Sequence, residues 1–194
     1  KRQLDTSLFE RLLLSDGEKN KEIVYRLSKS GQSINKPEDI LKEPYVFEFL
    51  DIKETKPILE KELEKRLIKH MEYFLLELGK GFMFVGTQQR ITLGNIHYYV
   101  DMVFYNKILK CYVLIDLKIG TITHQDVGQM DMYRRMYDEL KRTEGDNPTI
   151  GIVLCSDTDA DIAKYSILNG NEQLFAAKYL PLLPTKEELK REIE

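Results

Sequence analysis

Long apolar runs are what this 194-residue chain most clearly lacks. None approaches the roughly 18 residues that would span a bilayer, and no signal-peptide pattern opens the sequence, so no membrane role is expected. Cysteine is scarce. Cys111 and Cys155 both lie in apolar, strand-like runs, where a buried free thiol is expected before a ligand or nucleophile, and this usage fits a reducing cytoplasm. Charge of one sign is lacking too: 29 Lys and Arg against 32 Asp and Glu leave a formal net charge of -3. That balance excludes a surface that is basic throughout but leaves room for a local basic groove. The glycines form no phosphate-loop pattern, so no nucleotide cofactor is expected, and no Ser, His and Asp constellation marks a protein nucleophile. His70, His97 and His124 are scattered without metal-ligand spacing. There is no internal repeat and no low-complexity tract. Lys1 as first residue reads as a piece of a longer chain.

Length and ordinary apolar content allow one buried core with an appended arm. Residues 1–45 read as a helical arm and linker, with helical spacing at Leu4, Leu8, Phe9, Leu12 and Leu13, a second short helix over residues 22–28, and a proline-bearing loop before "VFEFL". Residues 46–194 read as the main domain. There Leu59, Leu63, Leu67, Met71, Phe74 and Leu78 trace one helical stripe, starting near Pro57 and ending at Gly79 and Gly81. The period then changes to two. "MFVGTQQRITL" and "IHYYVDMVFY" flank Gly94-Asn95, a dipeptide suited to a two-residue hairpin turn, and "CYVLIDLKI" makes a third strand. A helix from about Gln125 to Leu140, the strand "TIGIVLCS", a helix over residues 157–168, a strand near "FAAKYL" and a capping box at Thr185 and Glu188 complete the order. This order predicts an α/β fold, a mixed β-sheet flanked by helices.

Two acids interrupt the strands of "YYVDMVFYNKILKCYVLIDLK". A hairpin loop centred on Ile108 and Leu109 sets Asp101 opposite Asp116, and alternation puts Asp101, Asp116 and Lys118 on one face. Cys111, Val113, Ile115, Leu117 and Ile119 make the other face wholly apolar. Two unit charges about 4 Å apart repel by roughly 4 kcal/mol at an effective dielectric constant near 20, more than one lysine offsets. A hard divalent cation turns that penalty into coordination energy, so the pair reads as half a metal site. Glu77, about 60° around the helix from Phe74, borders the buried face and is the candidate third carboxylate. Lys118 is suited to orienting a nucleophilic water and stabilising charge on a phosphate. Gln88 falls opposite Asp101 if the Gly94-Asn95 turn is tight, which makes it a supporting residue.

"VD" at 100 and 101 with "DLK" at 116 to 118 resembles the PD-(D/E)xK nuclease signature. The longer run "FLLELGKGFMFVG…YYVDMVFYN…LKCYVLIDLKIG…DNPTIGIVLC" resembles the bacterial YhcG-like family of the restriction-endonuclease-like superfamily, over about residues 40 to 180. "LFERLLLS" resembles the tail of that family's N-terminal helical domain. The resemblance implies a restriction-endonuclease-like core and Mg2+-dependent hydrolysis of DNA phosphodiesters, with Mn2+ able to substitute. It assigns Glu77, Asp101 and Asp116 as metal ligands and Lys118 as the residue that positions the attacking water. Gln129 and Tyr133 in "GQMDMY" resemble the QxxxY motif of RecB-like nucleases and share a helical face. Two positions depart from the pattern: Val100 replaces the signature proline, and Asp116 replaces the glutamate common in the family.

The function expected is a metal-dependent DNA endonuclease acting in repair, recombination or defence. The alternatives are a nucleic-acid-binding or assembly module that no longer cuts, and a protein-interaction domain whose helical arm forms a homodimer.

Overall fold

The computed structural model describes residues 34–42, 44–52, 59–157, 162, 166 and 168–181. The expected arm helices, the Pro57 helix start, most of the helix expected over residues 157–168 and the capping box at Thr185 lie outside these residues.

The helical stripe is real but divided. Leu63, Leu67, Phe74 and Leu78 are buried. They lie on two helices, α1 (Glu60–Lys69) and α2 (Met71–Leu78), separated at His70, whose φ of -111° and ψ of 34° leave helical geometry. Leu59, expected to begin the stripe, occupies the N-cap and is exposed. Glu60 and Glu62 in the first turn of α1, with Arg66 and Lys69 in the last, match the helix dipole.

Three antiparallel strands follow. β2 (Phe82–Leu93) and β3 (Ile96–Asn106) turn at Gly94-Asn95, with Leu93 paired to Ile96 and Gly94 at φ 59°, a conformation open to residues without a Cβ. β3 pairs with β4 (Cys111–Thr121) in the register the 108–109 loop predicts, from Asn106↔Cys111 to Met102↔Ile115. Then α3 (His124–Leu140) begins at a Thr123 and Asp126 capping box and leads to β5 (Ile150–Asp157), parallel to β4. β6 (Leu174–Leu180) lies parallel to β5, and β1 (Tyr45–Val46) lies parallel to β6. The described residues thus form a mixed six-stranded sheet in the order β1-β6-β5-β4-β3-β2, flanked by helices as the element order implied.

Each face of the sheet carries its own core. Cys111, Val113, Ile115 and Leu117 of β4 pack with Leu63, Leu67, Phe74 and Leu78 of the helices before the sheet. Leu114, Val153 and Cys155 pack with Val127, Met130, Tyr133 and Tyr137 of α3. Both cysteines are free and buried. Ile40, Tyr45 and Phe47 belong to the first core, so chain that reads as linker is already packed against the domain. Sequence periodicity could not mark β1, which is two residues long. Among the described residues no helix is long and apolar enough to cross a membrane.

Candidate active site

The β3–β4 ladder stops at Met102↔Ile115, one pair short of the two aspartates. Side-chain bonding takes over there. Asp101 Oδ2 accepts from the Leu117 N–H at 3.4 Å, and the Asp101 and Asp116 carboxyls are hydrogen-bonded to each other. Beyond Lys118 the pairing of β4 with β5 slips before resuming at Thr121↔Asp157, with Gly120 at φ 90° and its N–H donating to Ser156 Oγ at 2.7 Å. Irregularities of this kind re-aim side chains at the end of a strand. The candidate acids therefore sit where the sheet opens on one side and kinks on the other.

Asp116 is only 6 % exposed. Burial first, then the charge and hydrogen bond of Asp101, push its carboxyl up to about 7, while Lys118 pulls it down. Lys118 Nζ stands 3.0 Å from Asp116 Oδ2, 3.2 Å from Glu60 Oε1 and 3.9 Å from Asp126 Oδ1. Burial disfavours this ammonium, but Asp116 and Glu60 outweigh burial and hold the lysine charged, above its ordinary value. Tyr179 Oη donates to the Lys118 carbonyl at 3.3 Å and anchors the strand beneath it. The structure thus brings Asp101, Asp116 and Lys118 together.

Gln88 joins them from β2. It stands between Thr87↔Met102 and Gln89↔Val100 at φ 47°, which is strained for a residue with a side chain. Its Nε2 donates to Asp101 Oδ1 at 3.1 Å and to Glu64 Oε1 at 2.7 Å. Gln129 Nε2 donates to Tyr133 Oη at 2.7 Å on α3. Burial raises the Tyr133 phenol most, Gln129 opposes this, and the charges of Asp116 and Asp101 raise it further, which sets the ring beside the acids.

Glu77 is not in this cluster. Its Oε1 accepts from the Val46 N–H at 2.9 Å, its Oε2 lies 3.8 Å from Lys42 Nζ, and Lys42 also donates to its carbonyl. These contacts tie α2 to β1, at the sheet edge three strands away from β4. From the helices before the sheet, the acids that reach the centre are Glu60 and Glu64 of α1, which sequence reasoning missed. Their signal was present: they are four residues apart, on one helical face beside Leu63 and Leu67. Asp126, which caps α3 through Thr123, was missed because a capping box explains it without any other role.

A family model, the YhcG PDDEXK nuclease domain, matches residues 38–194. The chain belongs to this family. It is 33 % identical over 192 residues to "Putative nuclease YhcG" of Escherichia coli (strain K12), covering 99 % of this chain and 50 % of that protein. The chain therefore spans about half the length of this curated relative. Among solved structures, a repair endonuclease from Pyrococcus abyssi is similar at 21 % identity and TM-score 0.44, over 68 % of this chain and 50 % of that one. EndoMS in complex with double-stranded DNA is similar at 17 % identity and TM-score 0.46, over 70 % and 51 %.

PD-(D/E)xK nucleases generally use divalent metals. Among the described residues of this YhcG-family domain, no three of His, Cys, Asp and Glu gather closely enough to hold a metal by themselves. The Asp101 and Asp116 pair nevertheless suits a hard cation: two adjoining carboxyls, one of them buried and pushed up by the other, are short of positive charge, and their oxygens are the donors such ions prefer. Mg2+ is commonly held by one or two carboxylates, with water and substrate phosphate completing its shell. The donor set fits on that basis.

Proposed function

We propose that this domain is a metal-dependent DNA endonuclease that hydrolyses phosphodiester bonds with Mg2+, Mn2+ substituting. The observation that carries the reading is the hydrogen-bonded Asp101 and Asp116 pair with Lys118 Nζ at 3.0 Å, held at the open end of the β3–β4 ladder. Asp101 and Asp116 would hold the cation, with Glu64 a further acid joined to Asp101 through Gln88. When bound, the ion supplies Lewis acidity and neutralises charge. Lys118, permanently protonated, orients the attacking water and stabilises negative charge on the phosphate. Gln129 and Tyr133 present an amide and a phenol from α3 as neutral hydrogen-bonding groups over the site. Glu77 keeps a structural role. The setting proposed is repair, recombination or defence.

Incubation with plasmid and branched DNA in Mg2+, Mn2+ or EDTA tests the reading. Metal-dependent cleavage by the wild type, lost in Asp116→Ala and Lys118→Ala, is expected. Equal cleavage by the variants would remove these residues from the mechanism. The lack of a three-acid cluster among the described residues favours one second reading, a domain that binds nucleic acid without cutting it. Tight binding with no cleavage in any metal would select it.

A further inference from the structure

The β2–β3 pair extends past the point where β4 leaves it. From Gln89↔Val100 to Leu93↔Ile96 these strands pair with each other alone, forming a ribbon that starts one residue beyond Asp101. Cross-strand pairs alternate sides along such a ribbon. Ile91, Tyr98 and Val100 pack towards α3, where the Tyr98 and Tyr133 ring centroids are 6.3 Å apart. The opposite side carries the Arg90↔Tyr99 and Thr92↔His97 pairs. All four residues are exposed, Tyr99 at 48 %, and Thr92 Oγ1 lies 2.9 Å from His97 Nδ1.

Charge selects the occupant. The centre gathers Glu60, Glu64, Asp101, Asp116 and Asp126 around one ammonium, which three of those acids already engage. The bound ion answers the phosphate at the cut, but the neighbouring phosphates meet these acids and need a cation elsewhere. Arg90 has no ion pair among the described residues and stands two residues from Gln88, while Tyr99 stands two residues from Asp101, roughly 7 Å along the strand. One guanidinium, one exposed ring and a Thr-His pair in file match one phosphate and one stacked base of a single strand. An exposed ring stacks on a base only where that base is free of its partner strand, which favours a single strand over a duplex on this face.

We infer that the outer face of this ribbon is the track for an unpaired nucleic-acid strand leaving the active site, with Arg90 on a phosphate and Tyr99 stacked on a base. This rests on the nuclease reading and adds the form of nucleic acid engaged beside the cut. The test is fluorescence anisotropy on the full chain in Ca2+, with a single-stranded oligonucleotide and its duplex, across a salt series. Arg90→Ala should weaken single-strand binding and reduce the slope of log K against log salt by about 0.7, the contribution of one phosphate contact. Arg90→Lys should restore the slope. Tyr99→Ala should weaken binding roughly fivefold or more at an unchanged slope, and Tyr99→Phe should restore it. Duplex affinity should change less than single-strand affinity. Single-strand affinity and slope equal to wild type in Arg90→Ala or Tyr99→Ala overturn the inference, as does a larger loss on duplex than on single strand. Wild-type cleavage in Mg2+, run alongside, separates the readings: cleavage with wild-type-like variants leaves the nuclease standing without the track, whereas neither binding nor cleavage removes both.

Discussion

The two ends of the β3–β4 pair treat buried polar groups in opposite ways. At the hairpin end Asn106, fully buried, accepts from the Ile108 and Leu109 N–H groups at 3.0 and 3.1 Å and donates to the Lys80 carbonyl at 3.3 Å. Beside it, Tyr105 Oη donates to Asp146 Oδ1 at 2.7 Å, and Asn147 Nδ2 donates to the Leu109 carbonyl at 2.6 Å. Donor meets acceptor at each position. At the other end Asp101 and Asp116 press two acids together, a strained Gln88 bridges to a third acid, and one lysine faces three carboxylates. The polar groups just named at the hairpin end are matched. Those at the open end are left unbalanced, the kind of local conflict expected at a functional end.

Mutations should separate these ends. The largest effect is expected at the open end: Asp116→Ala or Lys118→Ala should lower metal-dependent DNA cleavage per folded molecule by roughly a hundredfold to a thousandfold or more. At the matched end Asn106→Ala strands two backbone donors and should cost about 2–3 kcal/mol in urea unfolding. Cleavage per folded molecule should stay at the wild-type level.

A third prediction follows from the sign of the Asp116 shift. Its folded-state value, about 7, lies above the ordinary carboxyl value, so the folded chain holds a proton that the unfolded chain has released, and stability falls as pH rises from about 4 towards 7. In EDTA at pH 8, Asp116→Asn should therefore be more stable than wild type by about 1–2 kcal/mol. Denaturant curves should show the difference closing below about pH 4. The smallest effect concerns Gln88. With φ at 47°, Gln88→Gly should be about 1 kcal/mol more stable than Gln88→Ala, since both lose the amide and glycine alone relieves the strain.

Much of this contrast was legible in the sequence. Two turns fixed two registers: Gly94-Asn95 placed Gln88 beside Asp101, and the loop at Ile108 and Leu109 placed Asp101 beside Asp116, because a hairpin register is a local matter of loop length and side-chain alternation. Lys118 followed from the same alternation. What escaped depended on distance in the chain. Whether Glu77 or Glu64 turns to the centre depends on the break at His70 and on where each helix meets the sheet, and a helical stripe reports neither. Glu77 borders its stripe as expected, yet it faces Val46 and Lys42 because α2 packs against β1, a strand too short to read from periodicity.

The most direct test of the central claim is calorimetric titration of metal-free protein with Mn2+ at pH 6.5, in two buffers of different ionisation enthalpy. Wild type should bind the ion and release a fraction of a proton as Asp116 gives up its own, while Asp116→Asn should bind far more weakly and release none. Wild-type protein that takes up no Mn2+, or an Asp116→Asn variant that binds it equally well, would contradict the account.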